Sequence, residues 1–461
     1  MRRITAGQLA GMLGAREDGV PAYRWLSAGL RSLIANGRVL HGTTLPSERD
    51  LVSALGLSRT TITRAYQVLR EAGYADSAIG SGTVAQVPGG LVDGGGEPLP
   101  LGGFGSNNAR TDLSCAAPAA PPGIMEHYAA ALEQLPAYTA GMGYFPLGIP
   151  VLRQALADYY THRGLPTDPD QIIVTAGSLA GVAAVARTVL SRGALAATET
   201  PSYPNSVLSL KAQKVRLAAL PIGPEGTDLP GIEALLREAR PAAMLCLPDF
   251  HNPVGTLLDN AGRERWARAL EAHGTVGIVD ETCVDLWLDE EPDVLPMAAF
   301  SSSLVSVGSA SKSHWGGLRM GWIRAPRPLI GALATGRMVL DLGAPVLDQL
   351  VLASMLERRQ PLHGRADLRA NRDWLHAELA RVLPEWTVRK PSGGLSLWCQ
   401  LPAPRSSALC RTVRGVQLAP GSTFAVDGHG LETWLRLPYA LPREDLAAVL
   451  PRIVEAWHAV A

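Results

Sequence analysis

The stretch "SVGSASKSHWGGLRMGW", residues 306–322, holds Lys312, one of only four lysines among 461 residues; the others are Lys211, Lys214 and Lys390. Arginine meets almost every other need for positive charge. A lone lysine among small residues is ordinarily a solvated surface charge, so its neighbours decide the reading. Ser309, Ser311 and Arg319 flank it with hydroxyls and a fixed cation. That set suits a phosphate.

A lysine held where its charge is disfavoured gives up its proton more easily and becomes a nucleophile towards aldehydes. A phosphate beside such an amine points to pyridoxal 5'-phosphate held as a Schiff base. That cofactor makes demands that the rest of the chain can be searched for. A carboxylate for the pyridine nitrogen is offered by Asp280, at the end of the apolar run in "GIVDETC". A strand-end acid facing water is the ordinary alternative. A donor for the ring oxygen is offered by Asn252 in "DFHNPVG", although Asn-Pro is also plain turn chemistry. A helix N-terminus for the phosphate is offered around Gly177, Ser178 and Leu179 in "TAGSLAG". A surface for the ring is offered by Tyr203 in "ETPSYPNS".

The pattern around these residues predicts their place in a fold. "QIIVTAG" (171–177), "AAMLCLP" (242–248), "TVGIVDE" (275–281) and "SLVSVGS" (303–309) are short apolar runs. Several are separated by helical stretches such as 263–274. This alternation predicts a mostly parallel sheet covered on both faces. Ligands of such sheets bind beyond the carboxyl ends of the strands, where the residues above fall.

Five requirements met in strand-end loops, in order, bring a resemblance into view. From about residue 113 to 461 the chain resembles the fold type I aminotransferases, through "PSYPNS", "HNPVG", "VDET" and "SASKSHWGGLRMGW". The resemblance implies a seven-stranded-type sheet with flanking helices and a smaller C-terminal α+β subdomain. It implies that Lys312 forms the Schiff base, Asp280 pairs with the pyridinium and Asn252 bonds the ring hydroxyl. Ser178, Ser309 and Arg319 would hold the phosphate, and Tyr203 would stack on the ring. "GYFPLGIPVLR" resembles the segment whose tyrosine, here Tyr144, reaches the cofactor of a partner subunit, so a homodimer is implied. "TWLRLPYA" resembles the strand whose arginine, here Arg436, grips a carboxylate of the substrate or effector. The chain departs from the family at Cys283, where a tyrosine usually donates to the ring oxygen. A thiol is a weaker donor, which weighs against efficient transamination.

The first part of the chain reads differently. In "LPSERDLVSALGLSRTTITRAYQVLREAG" (45–73), one helix starts at Ser47 and ends near Gly56. A second runs from Ser58 to Gly73. Ile62, Ala65, Tyr66 and Leu69 fall on one face, leaving Arg59, Thr60, Thr63, Arg64 and Gln67 on the other. "YADSAIGSGTVAQV" (74–87) predicts a hairpin. Residues 21–88 carry seven arginines against four acids. A helical hairpin with a solvated arginine face is the bland alternative, and spacing alone leaves the two even. "LPSERDL", "LGLSRTTI" and "GSGT" resemble the winged helix-turn-helix of GntR-type bacterial regulators over about residues 22–87. That resemblance implies contacts to double-stranded DNA from Arg49, Ser58, Arg59, Thr60, Thr61 and Arg64, with Gly82 shaping the wing.

Composition divides the two parts. Residues 87–108, "VPGGLVDGGGEPLPLGGFGSNN", are rich in Gly and Pro with few charges and read as a flexible linker. The predicted organisation is a DNA-binding domain at 1–88, a linker at 89–112 and a cofactor, effector and dimerisation domain at 113–461. This is the architecture of MocR-type regulators. It implies a transcription regulator that senses an amine, an amino acid or the cofactor itself. A working aminotransferase with an appended DNA-binding module is the alternative, and a regulator that has lost its cofactor is a third possibility.

Lys+Arg and Asp+Glu both number 42, so net charge points to no polyanionic partner and any basic surface is local. Five cysteines without a CxxC pair argue against a disulfide framework or a zinc site, so no metal is expected. No apolar run approaches the roughly 20 residues that span a bilayer. No signal peptide is read at the start, and the cytoplasm is the expected compartment.

Overall fold

The computed structural model describes residues 3–16, 19–78, 82–90, 111–223, 225–358 and 364–460. Residues 91–110, most of the expected linker, lie outside these. The chain divides into two compact units, Met1–Gly95 with Pro121–Ala130, and Gly96–Ala120 with Ala131–Ala461. Pro121–Ala130, which the sequence reading places in the large domain, thus groups with the first unit. There the Gly123 amide donates to the Asn36 carbonyl (2.8 Å), and Arg38 Nη2 lies 3.1 Å from Glu126 Oε1.

Among the described residues the first unit holds the helices α1 (Ala6–Met12), α2 (Ala22–Ala35), α3 (Glu48–Leu55) and α4 (Arg59–Glu71), the start of helix Ile124–Gln134, and an antiparallel hairpin, β1 (Ala75–Ala78) and β2 (Gly82–Ala85). Ser47 and Ser58 are N-caps whose hydroxyls accept from the Asp50 and Thr61 amides, each at 3.2 Å. Each cap occupies one of the first-turn N–H groups that a helix leaves without an internal partner. Gly56 closes α3 in the left-handed conformation, φ 64°, which glycine adopts without a Cβ penalty. The four α4 residues assigned to the core are buried, and Tyr66 donates from its hydroxyl to the Pro46 carbonyl at 2.6 Å. They pack with Leu9, Leu26, Leu30 and Leu51.

In the second unit a short parallel ladder pairs β3 (Thr111–Asp112) with Val416–Gln417. The main sheet comprises β4 (Ile172–Thr175), β5 (Leu195–Thr200), β6 (Arg216–Pro221), β7 (Ala243–Cys246), β8 (Val276–Asp280), β9 (Leu304–Ser309) and β10 (Gly321–Arg324). Their spatial order is β4-β10-β9-β8-β7-β5-β6. Pairing is parallel from β6 through β9, while β10 runs antiparallel to both β9 and β4. Strands β4, β7, β8 and β9 fall on the four apolar runs. Helix Ser178–Val189 packs its buried residues on the sheet through Ile173, Val305, Val307 and Ile323.

A smaller C-terminal part holds a four-stranded antiparallel sheet. It is built from β11 (Thr387–Val388), β12 (Ser396–Gln400), Ala419–Pro420 and Trp434–Pro438. Helices Arg365–Val382, Ser406–Thr412 and Arg443–Val460 share its apolar core with Leu375, Leu397, Leu409, Leu437 and Ile453. Among the described residues no helix is long and apolar enough to cross a membrane.

Candidate functional site

The carboxyl ends of β4, β5, β7, β8 and β9 each deliver at least one predicted residue. After β4 the chain turns at Gly177 (φ 91°) straight into helix Ser178–Val189, with no side chain capping its first turn. The amide groups there, including those of Ser178 and Leu179, form an uncapped positive helix end. A Cβ on Gly177 would meet Arg319 Nη2 at 2.6 Å, and one on Gly321 would meet Ser178 N at 2.5 Å. Both positions therefore need glycine. Their bareness lets the exposed Arg319 guanidinium and the start of β10 close against the helix end.

Strand β8 ends on Asp280, partly buried, whose Oδ1 accepts from the Thr282 amide at 2.9 Å. Burial, the largest cause, raises its pKa from the ordinary carboxylate value, helped by the nearby acids Glu281 and Asp249. Among the described residues no ion pair engages Asp280, and a buried carboxylate of this kind is suited to receive a cation. Strand β9 ends on Ser309, 4% exposed, whose hydroxyl accepts from the Ser311 amide at 3.1 Å. Lys312 follows in the single π-turn Ser311–Trp315 and is half-buried. Turns of this kind recur at functional positions. Lys312, Asn252 and Cys283 line one cleft, with His251 and Phe250.

Asn252 lies in the turn after β7. Its Oδ1 accepts from Arg436 Nη1 at 3.2 Å, which leaves the amide nitrogen as its donor group. Arg436 sits mid-strand in Trp434–Pro438 and is fully buried. A second guanidinium nitrogen donates to the Ser114 carbonyl, and the Phe424 ring lies 4.7 Å from its central carbon. Tyr203 caps helix Pro204–Lys211, is half-buried, and packs with Trp434 against Trp398 and Phe424. Tyr144 is 63% exposed, beside Met142 at 90%.

A cation opposite an uncapped helix end, a buried acid, an amide donor and an amine lining a cleft fit a phosphorylated pyridine aldehyde in charge and in donor type. Cys283 lines the same cleft where the family has a tyrosine. Among the described residues no cluster of His, Cys, Asp or Glu could hold a metal ion.

Two buried pairs escaped the sequence reading. Asp249 Oδ1 lies 2.6 Å from Arg263 Nη2, and Arg263 Nε also donates to the Leu258 carbonyl at 2.8 Å, so this pair braces the loop that carries Asn252. Glu199 Oε2 and His251 Nε2 lie 3.6 Å apart with at most 1% exposure. Burial pushes Glu199 up to about 8 and His251 down to about 4. Both motifs, "ETPSYP" and "DFHNPVG", were read for a neighbouring residue. Nothing in one dimension pairs position 199 with position 251.

In the first unit, Arg59 opens α4 with its side chain 84% exposed, 3.8 Å from Glu48 Oε2. Arg49, Thr60 and Arg64 are exposed alongside, and the Arg64 guanidinium lies 5.4 Å from the Tyr23 ring centre. Ser58 has a structural task as the N-cap, bonding Thr60 Oγ1 at 2.9 Å and Thr61 Oγ1 at 2.8 Å. Gly82 opens β2 with φ 81°. The Ile79–Ser81 part of the predicted wing tip lies outside the described residues.

Comparison with known proteins agrees with both halves. The model of class I and II aminotransferases matches residues 104–453, and that of the gntR family of bacterial regulatory proteins matches residues 22–84. The uncharacterized HTH-type transcriptional regulator YdfD of Bacillus subtilis is 27% identical, over 93% of this chain and 94% of its own. The 2-aminoadipate transaminase of Thermus thermophilus is 29% identical, over 69% of this chain and 81% of its own. The structure of LysN, α-aminoadipate aminotransferase from Thermus thermophilus, complexed with N-(5'-phosphopyridoxyl)-L-leucine, superposes with a TM-score of 0.68. It is 27% identical and covers 77% of this chain and 93% of that one. The chain belongs to the class I and II aminotransferase family, among its MocR-type members, in which a GntR-type DNA-binding domain precedes the aminotransferase-like part.

Proposed function

We propose that this DNA-binding transcription regulator uses pyridoxal 5'-phosphate, held in the cleft of its large unit, to sense an amine or an amino acid. The reading rests on Lys312 and Asn252 lining one cleft, with Asp280 at the carboxyl end of β8 and Arg319 against Gly177 at the start of helix Ser178–Val189. When bound, the cofactor supplies an aldehyde that condenses with primary amines and a ring that draws electrons from them.

The chain's own groups set the terms of that exchange. Arg319, Ser309 and the first-turn amides of helix Ser178–Val189 hold the phosphate as fixed positive charge and hydrogen-bond donors. Asp280 keeps a proton on the ring nitrogen, and Asn252 donates to the ring oxygen. Tyr203 fixes the ring plane. Lys312 Nζ would hold the cofactor through its aldehyde group, and an amine able to take the place of Lys312 would be the effector sensed. Arg436, joined to Asn252, favours an effector that carries a carboxylate. Because Arg436 Nη1 donates to Asn252 Oδ1, a carboxylate arriving at Arg436 also disturbs the donor to the ring oxygen. Cys283 gives that oxygen a weak donor and so favours sensing over turnover.

A homodimer fits the exposed apolar surface. Tyr144 and Met142 lie near Met338, Val339, Leu340 and Leu342, all exposed, because Arg337 donates to the Pro146 carbonyl and Gly343 approaches Phe145. Such a patch is more than a monomer ordinarily leaves in water. The first unit binds operator DNA through the exposed face of α4, and the cytoplasm is the compartment where DNA and cofactor meet.

The test is a spectral titration of the purified protein. The native protein should carry a visible band that Lys312→Ala lacks, and amino acids should shift it together with operator retardation. A colourless native protein would refute the reading. Sustained keto-acid formation from an amino donor and acceptor would favour the aminotransferase instead, a reading that the retained Lys312 and Asp280 keep open.

A further inference from the structure

The cofactor cleft uses the carboxyl ends of the parallel strands. An open groove of about 470 Å³ lies at the opposite edge of the same sheet, around the start of β4, the approach to β9 and the far end of β10. Strand β10 links the two, because it begins at Gly321 against the helix end and finishes at Arg324 in the groove. Three residue steps along a strand separate them by on the order of 10 Å.

Arg324 is unusual among the groove's residues. It is only 7% exposed, and among the described residues its side chain makes one hydrogen bond, from Nε to Thr167 Oγ1 at 3.4 Å. Among the described residues no carboxylate lies within 4 Å of its guanidinium, whereas the buried Arg263, Arg337 and Arg372 each have one, and the buried Arg436 instead donates to Asn252 Oδ1 and the Ser114 carbonyl. Burying a cation without an adjacent anion is costly. Burial lowers its pKa from the ordinary arginine value, with Tyr160 and Glu281 acting the other way from a distance.

We infer that this groove is a binding site for a small oxyanion, a carboxylate or phosphoryl group, held by Arg324 on the edge of the sheet remote from the cofactor. Ser301 and Ser302 line the groove, as does Arg327, which opens helix Arg327–Met338 and is paired with Asp168. The groove also holds Glu271, in the last turn of helix Asn260–Ala272. That carboxylate opposes an anion, keeps affinity low and gives the test its second direction. A ligand here needs no amine and does not compete with the cofactor, so it is an input separate from the one proposed above.

The experiment is calorimetric titration of the cofactor-loaded full chain with inorganic phosphate and, separately, with acetate, in a zwitterionic buffer. Binding of either anion in the millimolar range is expected, and which one binds assigns the ligand class. Glu271→Gln should tighten it roughly fivefold and Arg324→Gln should weaken it roughly tenfold or more. Because Arg324→Gln risks misfolding, the Glu271→Gln result decides by itself. No binding to the native protein and to Glu271→Gln, or an unchanged affinity in Glu271→Gln, overturns the proposal. A visible band that falls in step with phosphate binding also overturns it, since the anion would then be entering the cofactor cradle.

Discussion

The buried pair Glu199–His251 yields a prediction with a worked sign and size. Its members lie 3.6 Å apart and are out of water. Glu199 titrates at about 8 in the folded protein, against 4.5 for the free side chain, because burial disfavours its charge. The native state therefore binds more protons than the unfolded state between those values, and Glu199 makes stability fall as pH rises through that window. His251 titrates at about 4 against 6.5. The native state then binds fewer protons between those values, and His251 makes stability rise with pH up to about 6.5. The two slopes oppose one another between 4.5 and 6.5. Above 6.5 only Glu199 still titrates, at about 1.4 kcal/mol per pH unit, so roughly 2 kcal/mol is lost by pH 8.

Glu199→Gln keeps the shape of the protonated acid and removes its charge. In urea unfolding of the cofactor-free protein, the stability of the variant relative to the native protein should rise by about 2 kcal/mol between pH 6.5 and pH 8. Subtracting one curve from the other cancels every other titrating group. Equal slopes for the two proteins between pH 6.5 and 8 would refute the assignment of a protonated Glu199.

Three further outcomes can be measured. Arg59→Ala should weaken operator binding roughly tenfold with the visible spectrum intact, and unchanged retardation would disprove the role of α4. Ser58→Ala removes the N-cap of that helix and should destabilise the first unit by about 1 kcal/mol, read from its own unfolding transition. Gly177→Ala places a methyl 2.6 Å from Arg319 Nη2 on a backbone at φ 91°. It should loosen the cofactor roughly tenfold or more, seen in equilibrium dialysis, with the fold retained.

The strand-end positions of Lys312, Asp280, Asn252 and Ser178 were legible in the chain. Each sits in a local signal, an apolar run followed by small or turn-forming residues, and a parallel sheet places all such strand ends on one side. The capped helices α3 and α4 were legible for the same reason, since a serine cap and an i, i+3, i+4 apolar face are short-range features. Strands β5, β6 and β10 were not. Leu195–Thr200 and Arg216–Pro221 carry little β-branched character, and β10 owes its direction to the tight approach of Gly321 on Gly177. Full burial of Arg436 was equally hidden, because its partners Asn252 and Ser114 stand 184 and 322 positions away. The meeting of Glu199 with His251 and the uncompensated charge of Arg324 arise only where distant segments exclude water together. Local sequence sets which groups are present and which way a strand or helix turns them. Solvent exclusion, which decides their charge and partners, exists only once the chain has closed around them.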